Sequence, residues 1–282
     1  MRALTFLARR FVAGETAAAA LEQVKKLNKK GLKATLDCLG EDTESEAQAA
    51  AAADEYCRLL KLIHEAGADC NVSLKLTQFG LNLGPDVAKR NLGRVLDEAK
   101  KRGNFVRVDM EGSAWTQQTL DLVMDAHKSF GNVGTVLQAM LRRTPKDVAA
   151  LNKAGVRVRL CKGAYREPST IAFPRKEEVN RAYDELARAL LDGGTLPALA
   201  THDDGRIEAA AAHARARKVD PKSFEFQMLY GLRARRWSEL AAAGWTFRVY
   251  VPYGTHWFPY FSRRLRERKE NVLFVVKNMF RG

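Results

Sequence analysis

Short runs rich in aliphatic and β-branched residues alternate with longer amphipathic runs eight times along the chain, and this beat constrains the fold more than any other feature. Leu32–Asp37, Cys70–Leu76, Phe105–Met110, Val133–Gln138, Val156–Cys161, Pro197–Thr201, Ser223–Leu229 and Phe247–Val251 read as strands. Glu44–Ala66, Pro85–Arg102, Thr116–Phe130, Pro145–Ala154, Lys176–Leu191, Arg206–Lys218 and Ala234–Ala243 read as the helices between them, and an eighth helix begins at Phe258. Parallel strands need a long crossover between them, so strict alternation favours a parallel sheet. Eight units within 282 residues predict an α/β fold closed as a single (β/α)8 barrel. Gly67, Gly103, Gly155 and Gly244 read as helix stops, and Pro85 and Pro145 as first-turn residues. Residues 1–30 read as an N-terminal helical extension, 31–270 as the barrel and 271–282 as a C-terminal segment, all in one domain.

A chain that is 46% hydrophobic can build the core such a barrel needs. No apolar run approaches the ~20 residues of a membrane span. The opening residues Met1–Arg10 carry a basic pair without an apolar stretch and cleavage site, so the expected location is cytoplasmic. Cys38, Cys57, Cys70 and Cys161 form no CxxC pair, which fits reduced thiols rather than zinc ligands. The formal charge of +14 is compatible with nucleic acid, an anionic membrane surface, acidic substrates or an ordinary solvated surface. No zinc finger, aromatic RNA-binding motif or basic tail supports nucleic acid as a partner.

Polar residues stand where strands end. Lys75, Asp109, Gln138, Arg159, Thr201, His202 and Gln227 belong to separate strands, and in a closed barrel they would converge on the C-terminal mouth. Buried charges of mixed sign are costly unless paired, so such a set suggests a site more than a core. Near the C-terminus Tyr260, Arg263, Arg264 and Glu267 fall at i, i+3, i+4 and i+7, on one face of a helix. Two guanidiniums beside a phenol and a carboxylate make a poor core face and a good clamp for a small carboxylate.

The chain has no GxGxxG after its first strand, no Walker loop, no GxSxG elbow, and no HExxH or EF-hand pattern, so neither a Rossmann nucleotide site nor a catalytic metal is expected. Lys75 and Lys162 permit a Schiff-base aldolase. Against that, Arg159 and Lys162 beside the small pair Gly163-Ala164 suit close approach to a large anionic cofactor. Taken singly, His202 reads as a core histidine, Tyr250 as an amphipathic strand residue, and Asp109 as a cap or a partner of Arg107.

The strings RVRLCKGAY (157–165), ATHD (200–203), EFQMLYG (225–231) and YVPYG (250–254), followed by YFSRRLRE (260–267), resemble the proline dehydrogenase family, and most closely its short monofunctional bacterial members. The likeness runs in the same order from the first strand to the end of the chain.

The resemblance implies a distorted (β/α)8 barrel that holds FAD and oxidises L-proline to Δ1-pyrroline-5-carboxylate, and no cysteine or histidine sits in an obvious flavin-attachment sequence, so the FAD is expected to be noncovalent. Electrons would pass on to a membrane quinone, which would bring the protein to the inner face of an anionic membrane. A separate pyrroline-5-carboxylate dehydrogenase is a further candidate partner. By matching position, Lys75, Arg263 and Arg264 would bind the proline carboxylate, with Glu267 orienting the clamp. Leu229, Tyr250 and Tyr260 would close over the ring, and Asp109, Arg159 and Tyr250 would be catalytic. Val108, Gln138, Arg159, Lys162, Gly163, Ala164, Thr201 and His202 would contact FAD. A hydroxyproline dehydrogenase and a non-catalytic barrel that binds a small acid are the alternatives; an aromatic at Tyr250 leaves little room for a ring hydroxyl and argues for proline.

Overall fold

A computed structural model describes residues 10–258 together with Tyr260 and Ser262. Helix α1 (Ala17–Asn28) precedes eight strands: β1 (Lys33–Cys38), β2 (Cys70–Leu74), β3 (Val106–Val108), β4 (Val133–Gln138), β5 (Arg157–Cys161), β6 (Ala198–Ala200), β7 (Glu225–Leu229) and β8 (Phe247–Tyr253). Seven helices connect them in turn: α2 (Glu46–Glu65), α3 (Pro85–Lys101), α4 (Ser113–Phe130), α5 (Thr144–Lys153), α6 (Lys176–Gly193), α7 (Asp204–Ala216) and α8 (Ala234–Ala242). The strands are all parallel, run in sequence order and close on themselves through β1 and β8. The predicted barrel is therefore present, with strand and helix limits mostly within two residues of those read from the sequence. The expected C-terminal segment and most of the eighth helix lie outside the described residues.

Local chemistry sets these limits. Thr16 and Ser45 accept the backbone N–H three residues on, at 3.3 Å each, and so cap α1 and α2. Pro85 and Pro145 occupy first-turn positions of α3 and α5. Gly67, Gly103, Gly155 and Gly244 adopt the left-handed conformation just past their helices. Every residue of β4 is buried, because helices cover one face of a barrel strand and the barrel interior covers the other. Helix α1 packs across the seam between β1 and β8, burying Ala17, Ala20, Leu21, Val24 and Leu27 in the main core.

The two ends of the barrel differ. Towards the N-terminal ends of the strands the interior is filled by charged side chains. Arg107 donates to the carbonyls of Thr135 (3.1 Å) and Arg157 (2.7 Å), and Arg248 Nε pairs with Glu225 Oε1 at 2.9 Å. The guanidiniums of Arg107 and Arg157 both pack on the Phe105 ring, 4.9 and 4.7 Å from its centre. Only glycine fits at position 134, because a Cβ there would sit 2.4 Å from the Arg157 carbonyl and 2.8 Å from the Phe105 ring. The other end opens into a cavity.

Candidate active site

The cavity occupies the C-terminal mouth and has a volume of about 900 Å³, near the upper end for small-molecule sites. Lys75, Asp109, Gln138, Arg159, Lys162, Gly163, Ala164, Thr201, His202, Leu229, Tyr250 and Tyr260 all line it. The chain brings these residues to one cavity from seven strands, β2 to β8, because each lies within or just after a strand. Val108 is the exception among the described candidates: it is fully buried in the core, one position short of the wall. Arg263, Arg264 and Glu267 lie outside the described residues.

At the centre is a hydrogen-bonded array of charges. Asp109 Oδ1 accepts from Arg159 Nη1 at 2.7 Å and from Ser73 Oγ at 2.6 Å. The Tyr250 hydroxyl lies 2.6 Å from Asp37 Oδ2 and 2.8 Å from Asp109 Oδ2. The Arg159 guanidinium stands 5.2 Å from the centre of the Tyr250 ring. Asp109 is thus the partner of Arg159, and the pairing with Arg107 does not occur. Inward-facing strand residues alternate in level, and Arg107 lies one inward level nearer the closed end, where backbone carbonyls receive it.

Electrostatics fix the protonation of three groups. Burial opposes a charge on Lys75, but Asp37, then Asp109 and Glu111, outweigh it and hold the ammonium above the usual lysine range. A Lys75 held in its charged form is a poor amine nucleophile, which weakens the support for a Schiff base there. Burial, with Asp109 and Asp37 alongside, pushes the Tyr250 phenol well above the usual tyrosine range, so it remains a neutral donor. The Cys161 thiol in the cavity wall is pushed up to about 12 by burial and stays protonated.

The remaining wall is polar and pre-arranged. Lys162 donates to Asn180 Oδ1 at 2.5 Å and to Asp203 Oδ2 at 2.6 Å. His202 Nε2 accepts the Leu229 backbone N–H at 3.0 Å, so the ring carries its proton on Nδ1 when neutral. Gln138 donates to the Glu111 carbonyl at 2.9 Å. Gly163 has φ +111°, and any Cβ there would sit 2.4 Å from Met140 Sδ, so glycine is required for the chain to turn into the cavity wall. Tyr260 is buried against Phe11, Val12, Leu39 and Leu232.

A large anionic cofactor fits this wall. Arg159 is 5% exposed, yet its Nε and Nη2 have no hydrogen-bond partner among the protein atoms described. Arg159 lines the cavity, and although these two donors are themselves sealed, its fixed positive charge at the wall suits an anionic ligand. Among the described residues no group of three His, Cys, Asp or Glu side chains gathers as a metal site.

Sequence reasoning gave no role to Asp37, Ser73, Met110, Val136, Tyr165, Lys176 or Asp203, which also take part in this wall or its bonding. Asp37 had a usable signal, since it is a carboxylate ending a strand like the others. Ser73 had none, because a lone serine in a strand carries no chemical signature.

Comparisons with known proteins identify the family of the chain. Residues 20–277 match the family model described as proline dehydrogenase. Proline dehydrogenase 1 of Bacillus subtilis subsp. natto is 41% identical over 274 residues, covering 97% of this chain and 91% of that protein. Proline dehydrogenase of Deinococcus radiodurans is 39% identical over 281 residues, covering 98% and 91%. The crystal structure of proline utilization A (PutA) from Bdellovibrio bacteriovorus, inactivated by N-propargylglycine, superposes with a TM-score of 0.86 at 27% identity. That match covers 93% of this chain but 32% of the PutA chain, so the present chain spans about a third of that protein's length.

Proposed function

We propose that this chain, which belongs to the proline dehydrogenase family, oxidises L-proline to Δ1-pyrroline-5-carboxylate with FAD held at the barrel mouth, and that a membrane quinone takes the electrons. The observation that carries the reading is the buried array Lys75–Asp37–Tyr250–Asp109–Arg159, which ends in the fixed positive charge of Arg159 at the cavity wall. Bound FAD would supply the acceptor for a hydride leaving the ring carbon beside nitrogen.

The residues divide the remaining work. Lys75, with Arg263 and Arg264 oriented by Glu267, would bind the carboxylate, so the ring can enter in one direction only. Tyr250, Tyr260 and Leu229 would pack the ring and exclude water. Arg159, fixed by Asp109 and Ser73, would place permanent positive charge where electrons arrive. Gln138, Lys162, Gly163, Ala164, Thr201 and His202 would line the cofactor. The Tyr250 hydroxyl is engaged on two sides, which keeps its ring from swinging aside for a substrate hydroxyl and favours proline over hydroxyproline.

The +14 charge supports peripheral association with an anionic membrane on its cytoplasmic side, where the quinone would be met. Among the described residues no helix is long and apolar enough to cross a membrane. A separate pyrroline-5-carboxylate dehydrogenase would consume the product. The test is flavin content: purified protein should be yellow, and acid precipitation should release all flavin into the supernatant. Flavin kept in the pellet would contradict a noncovalent site, and a protein indifferent to added FAD would leave a small-acid-binding barrel as the better reading.

A further inference from the structure

Asp37 belongs to β1 and has no exposed surface, yet it meets two groups of the cavity wall. The register explains how. Asp37 lies opposite Ser73 in β2, and Thr35 lies opposite Tyr250 in β8. Lys75 and Tyr250 are therefore the diagonal neighbours of Asp37 on the inner face, one from each flanking strand. Asp37 Oδ2 accepts the Tyr250 hydroxyl at 2.6 Å, and Lys75 Nζ lies 3.2 Å from Oδ2 and 3.4 Å from Oδ1. Tyr56 of α2 braces the position from behind. Its hydroxyl donates to the Ser73 carbonyl at 2.7 Å and accepts the Cys38 N–H at 3.1 Å, joining β1 to β2 on either side of the carboxylate.

We propose that Asp37 is a positioning residue of the reaction, whose carboxylate holds the Lys75 ammonium and the Tyr250 phenol in the places from which they grip the carboxylate and the ring of proline. This rests on the functional reading above. Asp37 borders the cavity but is fully buried, with its carboxylate taken up by the two groups it holds, so it acts through them rather than on the substrate. One carboxylate coupling the charge partner to the ring partner also fixes the distance between them, which is the dimension that a small cyclic amino acid must match.

The charge of Lys75 depends on this arrangement. Around it stand Asp109 and Glu111 from the end of β3, Tyr165 from the loop after β5, Arg159 from β5 and Tyr250 from β8. Of the carboxylates facing Lys75, Asp37 contributes most to keeping it protonated, against the effect of burial. Without Asp37 the ammonium loses its strongest support, Asp109 and Glu111 remain as the facing carboxylates, and it gives up its proton at lower pH.

The test uses the FAD-loaded full-length protein with Asp37→Asn and Asp37→Glu. Asp37→Asn should raise KM for L-proline by about 10- to 100-fold and move the alkaline fall of kcat/KM to lower pH by about one to two units, the size of effect a close opposite charge exerts. Asp37→Glu keeps the charge but displaces its oxygens by a methylene, so KM should rise while the alkaline fall stays at the wild-type pH. If Asp37→Asn does not accumulate as folded protein, Asp37→Glu carries the test through that contrast. Equal impairment of both variants with no alkaline shift would reduce Asp37 to a structural role, and a wild-type KM in either variant would also overturn the proposal. A wild-type protein that neither binds nor oxidises proline would overturn the functional reading, and this inference with it.

Discussion

Replacing Tyr250 separates two contributions that its side chain combines. Its hydroxyl is shared by Asp37 and Asp109 at 2.6 and 2.8 Å, and its ring carries the Arg159 guanidinium 5.2 Å from its centre. Tyr250→Phe deletes the hydroxyl alone. Losing one hydrogen bond to a charged acceptor costs about 1.5–3 kcal/mol, and for a chain of this size that lowers Tm by roughly 3–5 °C. Tyr250→Ser removes the ring as well, and with it the wall that a 4-hydroxyl group on the substrate would strike. A pocket discriminates one small substituent by about 1–3 kcal/mol, or roughly 10- to 200-fold. The kcat/KM ratio of 4-hydroxyproline to proline should therefore rise by about that factor in Tyr250→Ser and by less than about tenfold in Tyr250→Phe, where the ring remains. Steady-state kinetics with both substrates, read beside thermal melts, make the comparison. An unchanged ratio in Tyr250→Ser would mean that the ring does not line the substrate pocket. Equal ratios in the two variants would assign selectivity to the hydroxyl and refute the steric argument.

Further outcomes follow from other parts of the molecule. Arg263→Met and Arg264→Met should each raise KM for proline strongly with little change in Tm, because a carboxylate left facing one guanidinium loses several kcal/mol; unchanged KM in both would remove the clamp. At the closed end of the barrel, burial works against the Glu225 carboxylate, but Arg248 more than offsets this and holds it below the usual glutamate range. A depressed folded pKa contributes stability above the unfolded value that is lost as pH falls. The Tm gap between wild type and Glu225→Gln should thus be widest near neutral pH and shrink below about pH 4.5, the ordinary value; a gap that widens in acid would reverse the assignment. Co-sedimentation with vesicles should require anionic lipid and weaken as salt rises, since basic side chains near such a surface contribute about 1 kcal/mol each. Equal recovery with neutral vesicles would exclude an electrostatic attachment.

The barrel was legible because its signal is repetitive. Each strand–helix unit repeats the same patterning, and proline and glycine mark helix starts and stops. Strand ends were less legible: β3 and β6 keep only three residues each, and Asp109 and Thr201 lie just beyond them. Asp109 still donates its N–H to the Leu74 carbonyl at 2.8 Å, so the ladder fades rather than stops. The partners of the polar strand ends were not legible at all. That Asp109 meets Arg159 across the barrel, and that Asp37 lies diagonal to both Lys75 and Tyr250, depends on the stagger between neighbouring strands. Strand stagger is set by closure of the whole sheet and leaves no mark in any one strand. The buried array therefore appeared in the sequence as scattered candidates, and its bonding appeared only in the fold.

The central claim is that the mouth of this barrel joins proline to a bound flavin. The most direct measurement is the visible spectrum of the FAD-loaded protein under anaerobic conditions, before and after adding substrate. L-proline should bleach the flavin bands, and D-proline should leave them intact, because the carboxylate grip and the Tyr250 wall admit one face of the ring. A spectrum unchanged by L-proline in protein that has bound FAD would contradict the account.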